Sequence, residues 1–451
     1  MTSLSLERVR PLLVSYGVYL AGLITRGVEL VGKLGLYMLA ARVLGAHDAG
    51  LFFLCITWVS LIATVARTGF EKASTRHIAA ELAVGDGRAA LRAMIFSMIW
   101  ASAGGLIAAA ITYAAAEPIS VHLFSEPDLV RALALSAIVI VPQNLCIMFG
   151  HALAGLKRGI ASQLVQNALW PVLTLSALAL GVHQLDGLLY ALAGSMMLAS
   201  LLGLVLVLRR WRVFSVRRAI GAGIALPPLW KTALPLAVVE INQIALSSIP
   251  VLVLGMFASA ADVGAFSVAM RISLLIWVVI ISIGTIAAPM FAEHHRLGEL
   301  RELHKLNRNV WLAISGFGVP VVAIMMLFPS SLLSLIGPGF ETAATALVIM
   351  AVGQLVNCLL PCQDILLAMT GHGARLRLLN LLQFASCVVF SALLIPSFGM
   401  IGAATTSAIC IAQGAIGTAL SVRSLLPRPR EGDQPDQVRG ASMTAHRETG
   451  S

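Results

Sequence analysis

Long apolar stretches divided by short polar ones run the length of this 451-residue chain. A helix needs roughly twenty residues to cross about 30 Å of hydrocarbon. Stretches of that length occur near 11–40, 49–70, 93–116, 131–154, 160–182 and 187–208. Six more follow near 232–257, 263–291, 309–335, 343–369, 376–396 and 399–422. The pattern predicts an all-α polytopic membrane protein of about twelve transmembrane helices, with both termini on one side.

The second six stretches echo the first. Asp48-Ala49-Gly50-Leu51-Phe52 returns as Asp262-Val263-Gly264-Ala265-Phe266, and Asn167 finds its counterpart in Asn380. The offset drifts slowly along the chain, as an ancestral unit would leave after small insertions and deletions. An even number of spans per unit orients both halves alike, related by an axis along the membrane normal. The expected organisation is an N-terminal six-helix bundle over 1–208, a cytoplasmic linker over 209–231 and a C-terminal six-helix bundle over 232–426. The tail from 427 to 451, polar and rich in Pro, Arg, Asp and Gln, is expected to be disordered.

Composition removes the soluble alternatives. Hydrophobic residues make up 58% of the chain and charged residues 12%, with a mean hydropathy of +0.90, against roughly 25% charged in a soluble domain. The net charge of +10 invites a nucleic-acid partner until the basic residues are placed. They fall in alternate loops (Arg67 to Arg92, Lys157 and Arg158, Arg209 to Lys231, Arg296 to Arg308, Arg375 and Arg377) and near both ends. The opposite loops hold Arg42 and Arg131 among acids such as Asp128 and Glu341. Lysine and arginine accumulate on the cytoplasmic side, so both termini are expected in the cytoplasm of a bacterial inner membrane, and no nucleic acid is expected as a partner. The basic leader with Arg8 and Arg10 runs into the first span without a small-residue cleavage site, so that span should be retained. The six cysteines lie in apolar stretches and read as small apolar side chains. Cys358 and Cys362 lack a His or Cys partner at ligand spacing, so no metal or other cofactor is expected.

A charge at mid-bilayer costs about 2.5 to 3.5 kcal/mol on insertion scales, which makes each intramembrane charge a functional candidate. Arg26, Glu29 and Lys33 share one stripe of the first span with Tyr37. The repeat maps Arg26 onto Glu240 and Glu29 onto Gln243 in span seven, while Arg271 adds a cation in span eight. In spans four and ten, Asn144 and His151 map onto Asn357 and Asp364, each pair seven residues apart and expected on one face. These four are the candidates for ion coupling; the first six are the candidates for substrate binding. An intrahelical ion pair or plain interhelical hydrogen bonding is the structural alternative for each set.

Arg42-Val43-Leu44-Gly45 with Gly50-Leu51-Phe52, and Ala152-Leu153-Ala154-Gly155-Leu156-Lys157-Arg158, resemble motifs of the polysaccharide transporter family. That family includes the Wzx-type oligosaccharide flippases and sits within the multidrug/oligosaccharidyl-lipid/polysaccharide exporter superfamily. The second half departs at Thr370-Gly371-His372-Gly373, where a closer copy would be basic. The resemblance implies a V-shaped pair of bundles around a cavity lined by spans one, two, seven and eight. It also implies a flippase for polyprenyl-diphosphate-linked oligosaccharide in O-antigen, lipopolysaccharide or exopolysaccharide assembly, with membrane lipids and polysaccharide polymerase machinery as partners. Two other readings stay open: an ion-coupled multidrug exporter, which favours an acidic cavity, and a membrane-embedded glycosyl-transfer enzyme, which needs a sizeable external loop.

Overall fold

The computed structural model describes residues 3–215 and 228–425, with side chains from Ile24 onward. The basic leader's side chains, most of the expected linker and the tail over 427–451 lie outside the described residues. No strand occurs among those described. The helices are α1 (Ser3–Arg67), α2 (Phe70–Ala83), α3 (Gly87–Ala114), α4 (Leu129–Gly155), α5 (Leu169–Ala179), α6 (Leu185–Leu208) and α7 (Leu229–Phe257). They continue with α8 (Ala260–Ser273), α9 (Leu275–Arg296), α10 (Leu300–Leu327), α11 (Ala344–Leu359), α12 (Gln363–Met369) and α13 (Gly373–Leu425).

Nine helical segments of the described residues are long and apolar enough to cross a membrane. Two of them hold a backbone break at a glycine, Gly45 (φ 76°, ψ 174°) in α1 and Gly399 (φ 51°, ψ −126°) in α13. Positive φ is open to glycine at no steric cost, so each rod is two spans joined at a corner. The helix Gly159–Gln163, a π turn over Leu164–Ala168 and α5 together form one more apolar rod, at the place expected of span five. The described residues therefore hold the twelve expected spans. α2 is an addition: its residues, expected in a cytoplasmic loop, form a helix of their own.

Helix α3 shows why the surrounding solvent is lipid. Its buried face carries small residues, Ala90, Ser97, Ala101, Gly105, Ala108 and Thr112, while Ile99, Leu106, Ile107 and Ile111 are exposed. Water would reverse that arrangement; in a bilayer, small residues let backbones approach and large ones face the acyl chains. This is a multi-pass membrane protein.

By contacts the chain falls into two compact units. The first gathers the described residues up to Ile272 with Phe328–Leu347 and Cys387–Ser407. Within it the sequence repeat becomes a physical one. A Cβ on Gly50 would overlap the carbonyl oxygen of Ala260, and one on Gly264 would overlap the carbonyl oxygen of Ala46. The two equivalent glycines cross backbone to backbone. Gly32 and Gly35 in α1 face Val172 and Leu175 in α5, where a Cβ would meet either side chain at 3.1 Å.

The second unit contains Ser273–Leu327, Val348–Ser386 and the described residues from Ala408. Its span ten is broken. Helix α11 ends at Leu359, Pro361 supplies no N–H, and Cys362 takes a left-handed backbone (φ 56°) before α12 begins. Unpaired carbonyls at membrane depth must find partners inside the protein. Here Ser315 Oγ donates to the Cys358 carbonyl at 2.8 Å and the Trp311 indole N–H donates to that of Leu359 at 2.9 Å. Asn357 and Asp364 thus lie on different helices. Their expected common face does not form, because seven residues span two turns only along an unbroken helix.

Candidate functional site

Helical spacing alone builds the first part of the site. Glu29, three residues after Arg26 and four before Lys33, receives both cations: Arg26 Nη1 donates to one oxygen at 3.0 Å and Lys33 Nζ to the other at 2.8 Å. Lys33 also donates to Asn167 Oδ1 at 3.1 Å, a contact made possible by the close approach of α1 and α5 at Gly32 and Gly35. The Gln163 amide lies against the Arg26 guanidinium. Arg26 is half exposed at 53%, Lys33 is 30% exposed and Glu29 is 14% exposed. Two cations share one carboxylate, and the stripe keeps a net positive charge.

Lys33 reaches into two adjoining cavities. The smaller, of about 170 Å³, is lined by Lys33, Tyr37, Cys55 and Trp170 among others. The larger, of about 280 Å³, is lined by Lys33, Arg67, Glu71, His151, Asn167 and Glu240 with further amides and apolar walls. At its floor Arg67 is 5% exposed. Its Nη1 donates to Asn144 Oδ1 at 2.8 Å, its Nη2 donates to Thr64 at 3.0 Å, and its Nε stands 3.6 Å from Glu71. Asn144 uses its amide nitrogen to hold the Ala101 carbonyl at 3.1 Å. His151, one face along α4, exchanges contacts with Thr75: Oγ1 lies 3.0 Å from Nδ1 and donates to the His151 carbonyl at 2.9 Å.

Two placements made from the sequence change. Arg67 and Lys72, expected in a cytoplasmic loop, instead stand in the cavity's charge network, Arg67 at the last turn of α1 and Lys72 in α2. Glu240, the repeat's counterpart of Arg26, pairs with Lys72. The cause is steric: Gly69, with φ 75° and no Cβ, seats the start of α2 on the backbone of Ala233 and Ala237 in α7, which sets Lys72 beside Glu240. Gln243, one turn on, is exposed. In the second unit Asn357 donates to Gln354 at 3.4 Å, and Asp364 is exposed at the start of α12. Glu71 was missed altogether; the readable signal was its i, i+4 spacing from Arg67.

Arg271 sits among rings. Its guanidinium carbon lies 4.2 Å from the Tyr37 ring centroid and 4.0 Å from that of Phe53, and Nη1 donates to the Ser267 carbonyl at 3.0 Å. Cation–π contact holds the charge where no carboxylate bonds it among the described residues.

Known proteins resemble the chain at two levels. The family described as Polysaccharide biosynthesis protein matches residues 18–295, and the MatE family matches residues 235–393. A probable flippase, AglR, from Haloferax volcanii is 27% identical over 192 residues, 41% of this chain. The chain thereby spans 39% of the length of that relative. Among solved structures, an inward-facing multidrug resistance MATE family transporter of the MOP superfamily superposes with a TM-score of 0.67 at 17% identity, covering 89% of this chain and 98% of the other. The lipid II flippase MurJ in an inward closed conformation gives 0.65 at 12%, covering 91% and 87%. A MOP superfamily transporter from Pyrococcus furiosus, reported with reversed binding-pocket polarity, gives 0.61 at 18%, covering 90% and 94%. At these identities the likeness is one of fold.

Proposed function

Because the chain belongs to the Polysaccharide biosynthesis protein family, we propose that it is a flippase carrying a polyprenyl-diphosphate-linked oligosaccharide from the cytoplasmic to the outer leaflet of a bacterial cytoplasmic membrane. It works by alternating access, with both termini in the cytoplasm and a role in cell-surface polysaccharide assembly. The observation that carries this reading is the Arg26–Glu29–Lys33 arrangement, in which one carboxylate holds two cations. A diphosphate arriving there takes over both: guanidinium offers its oxygens a bidentate fork and ammonium a point charge. Glu29 and the substrate compete for the same cations, which couples loading to a change of state. Arg271 adds a cation free to meet an anion without first leaving a carboxylate. The fold shared with a lipid II flippase supports a lipid-linked cargo, and the reading treats the protein as a transporter without catalysis.

The MatE match over 235–393 keeps ion-coupled multidrug export as the second reading. That activity asks for an acidic cavity, whereas Glu71 and Glu240 stand beside Arg67 and Lys72. Deleting the gene tests the first reading: a lipid-linked oligosaccharide accumulates in the cytoplasmic leaflet, and an unchanged lipid-linked pool would rule it out.

A further inference from the structure

The larger cavity of the first unit does not fit the diphosphate itself. Glu71 and Glu240 line it together with Lys33 and Arg67, so a phosphate is repelled by the carboxylates and a cation by the guanidinium and ammonium. A neutral ligand rich in hydroxyls meets neither objection. Glu71 is 2% exposed; Oε1 is held only by the 3.6 Å ion pair to Arg67 Nε, too long for a hydrogen bond, and Oε2 has no hydrogen-bond partner among the described residues. A buried acceptor left open in this way costs about 1–3 kcal/mol or more until a donor arrives. Paired sugar hydroxyls are such donors, and a carboxylate accepts two at once.

The rest of the wall agrees. Trp170 turns its ring to both cavities, and its indole N–H is already given to the Gln166 carbonyl at 3.1 Å. The ring plane is thereby fixed and its face is what remains to offer. Gln143, Gln166 and Asn167 bring amides to the same space. The last two sit within the π turn Leu164–Ala168, and such turns, which shift side chains off the regular helical register, recur at functional sites. Cys146, Ile147 and Met196 supply apolar wall. The cavity, of about 280 Å³, has room for a sugar ring.

We infer that this cavity is a subsite for the sugar next to the diphosphate, with Trp170 stacking on one face of the ring and Glu71 accepting its hydroxyl protons. The inference rests on the flippase reading above. Lys33, 6.0 Å from the Trp170 ring centroid, stands where phosphate and sugar meet, so one ligand engages the Arg26–Lys33 stripe and the cavity together.

Binding to purified full-length protein in nanodiscs tests it, with two probes: bare polyprenyl diphosphate, and the lipid-linked oligosaccharides extracted from cells lacking the gene. Wild-type protein binds the sugar-bearing lipid about tenfold tighter than the bare one, the worth of one buried charge-assisted hydrogen bond. Trp170→Leu and Glu71→Gln remove most of that preference, and Trp170→Phe, which keeps a ring face, retains it. Equal binding of the two probes by wild-type protein, or an undiminished preference in both variants, overturns the subsite while leaving the flippase reading in place. Failure of wild-type protein to bind either probe overturns the flippase reading itself.

Discussion

Arg67 is held by Asn144, Thr64 and Glu71 in the last turn of α1 while 5% exposed. Removing one member of a buried charge pair leaves the other uncompensated, a loss of about 3–5 kcal/mol, whereas replacing both by apolar groups of similar volume is often neutral. Arg67→Ala is therefore expected to lower the thermal unfolding midpoint sharply in detergent, and Arg67→Met combined with Glu71→Leu to recover most of it. Equal destabilisation by the single and double variants would show that the ion pair is not what Arg67 contributes. This network was hidden in the sequence, since lysines and arginines close to span ends read as loop charges. The Arg26–Glu29–Lys33 stripe was legible, because its two ion pairs follow from helical spacing and need no tertiary partner.

Between helices, the decisive contacts are made where side chains are missing. The crossing of Gly50 with Gly264 leaves no room for a Cβ on either. Gly50→Val and Gly264→Val should each abolish accumulation of a monodisperse protein, read by size-exclusion of a fluorescent fusion. Gly27→Val, where a Cβ meets nothing within 4 Å, should not. Normal accumulation of both crossing variants would contradict the contact. The spans themselves were readable from apolar length, since lipid imposes it on every membrane helix. The repeat pointed to Gly50 and Gly264 as equivalents, though not to their meeting. The break at Pro361 and Cys362 was not readable as a break: membrane helices tolerate proline within a continuous rod, and the deciding partners, Trp311 and Ser315, lie on another helix.

At the scale of the whole molecule, the fold is one shared with membrane transporters, and in the proposed function the cargo is met by the charges the spans retain. The six substrate-binding candidates hold three cations, Arg26, Lys33 and Arg271, against two acids, Glu29 and Glu240. The structure refines that count into two neighbouring environments: a stripe with surplus cation at Arg26 and Lys33, and a cavity of mixed sign around Glu71 and Trp170. In the proposed reading a diphosphate takes the first and a sugar the second, the two parts of a lipid-linked glycan. The most direct test is translocation by purified protein in liposomes loaded with the accumulated lipid-linked oligosaccharide, followed by its accessibility to an external glycan-modifying reagent. Wild-type protein should expose the lipid on the far leaflet, while the Arg26→Ala, Lys33→Ala double variant, inserted to the same level, should be slower by about tenfold or more from the lost charge-assisted bonds. Arg26→Lys should recover only part of the rate, since ammonium lacks the fork; translocation by the double variant at the wild-type rate would contradict the account.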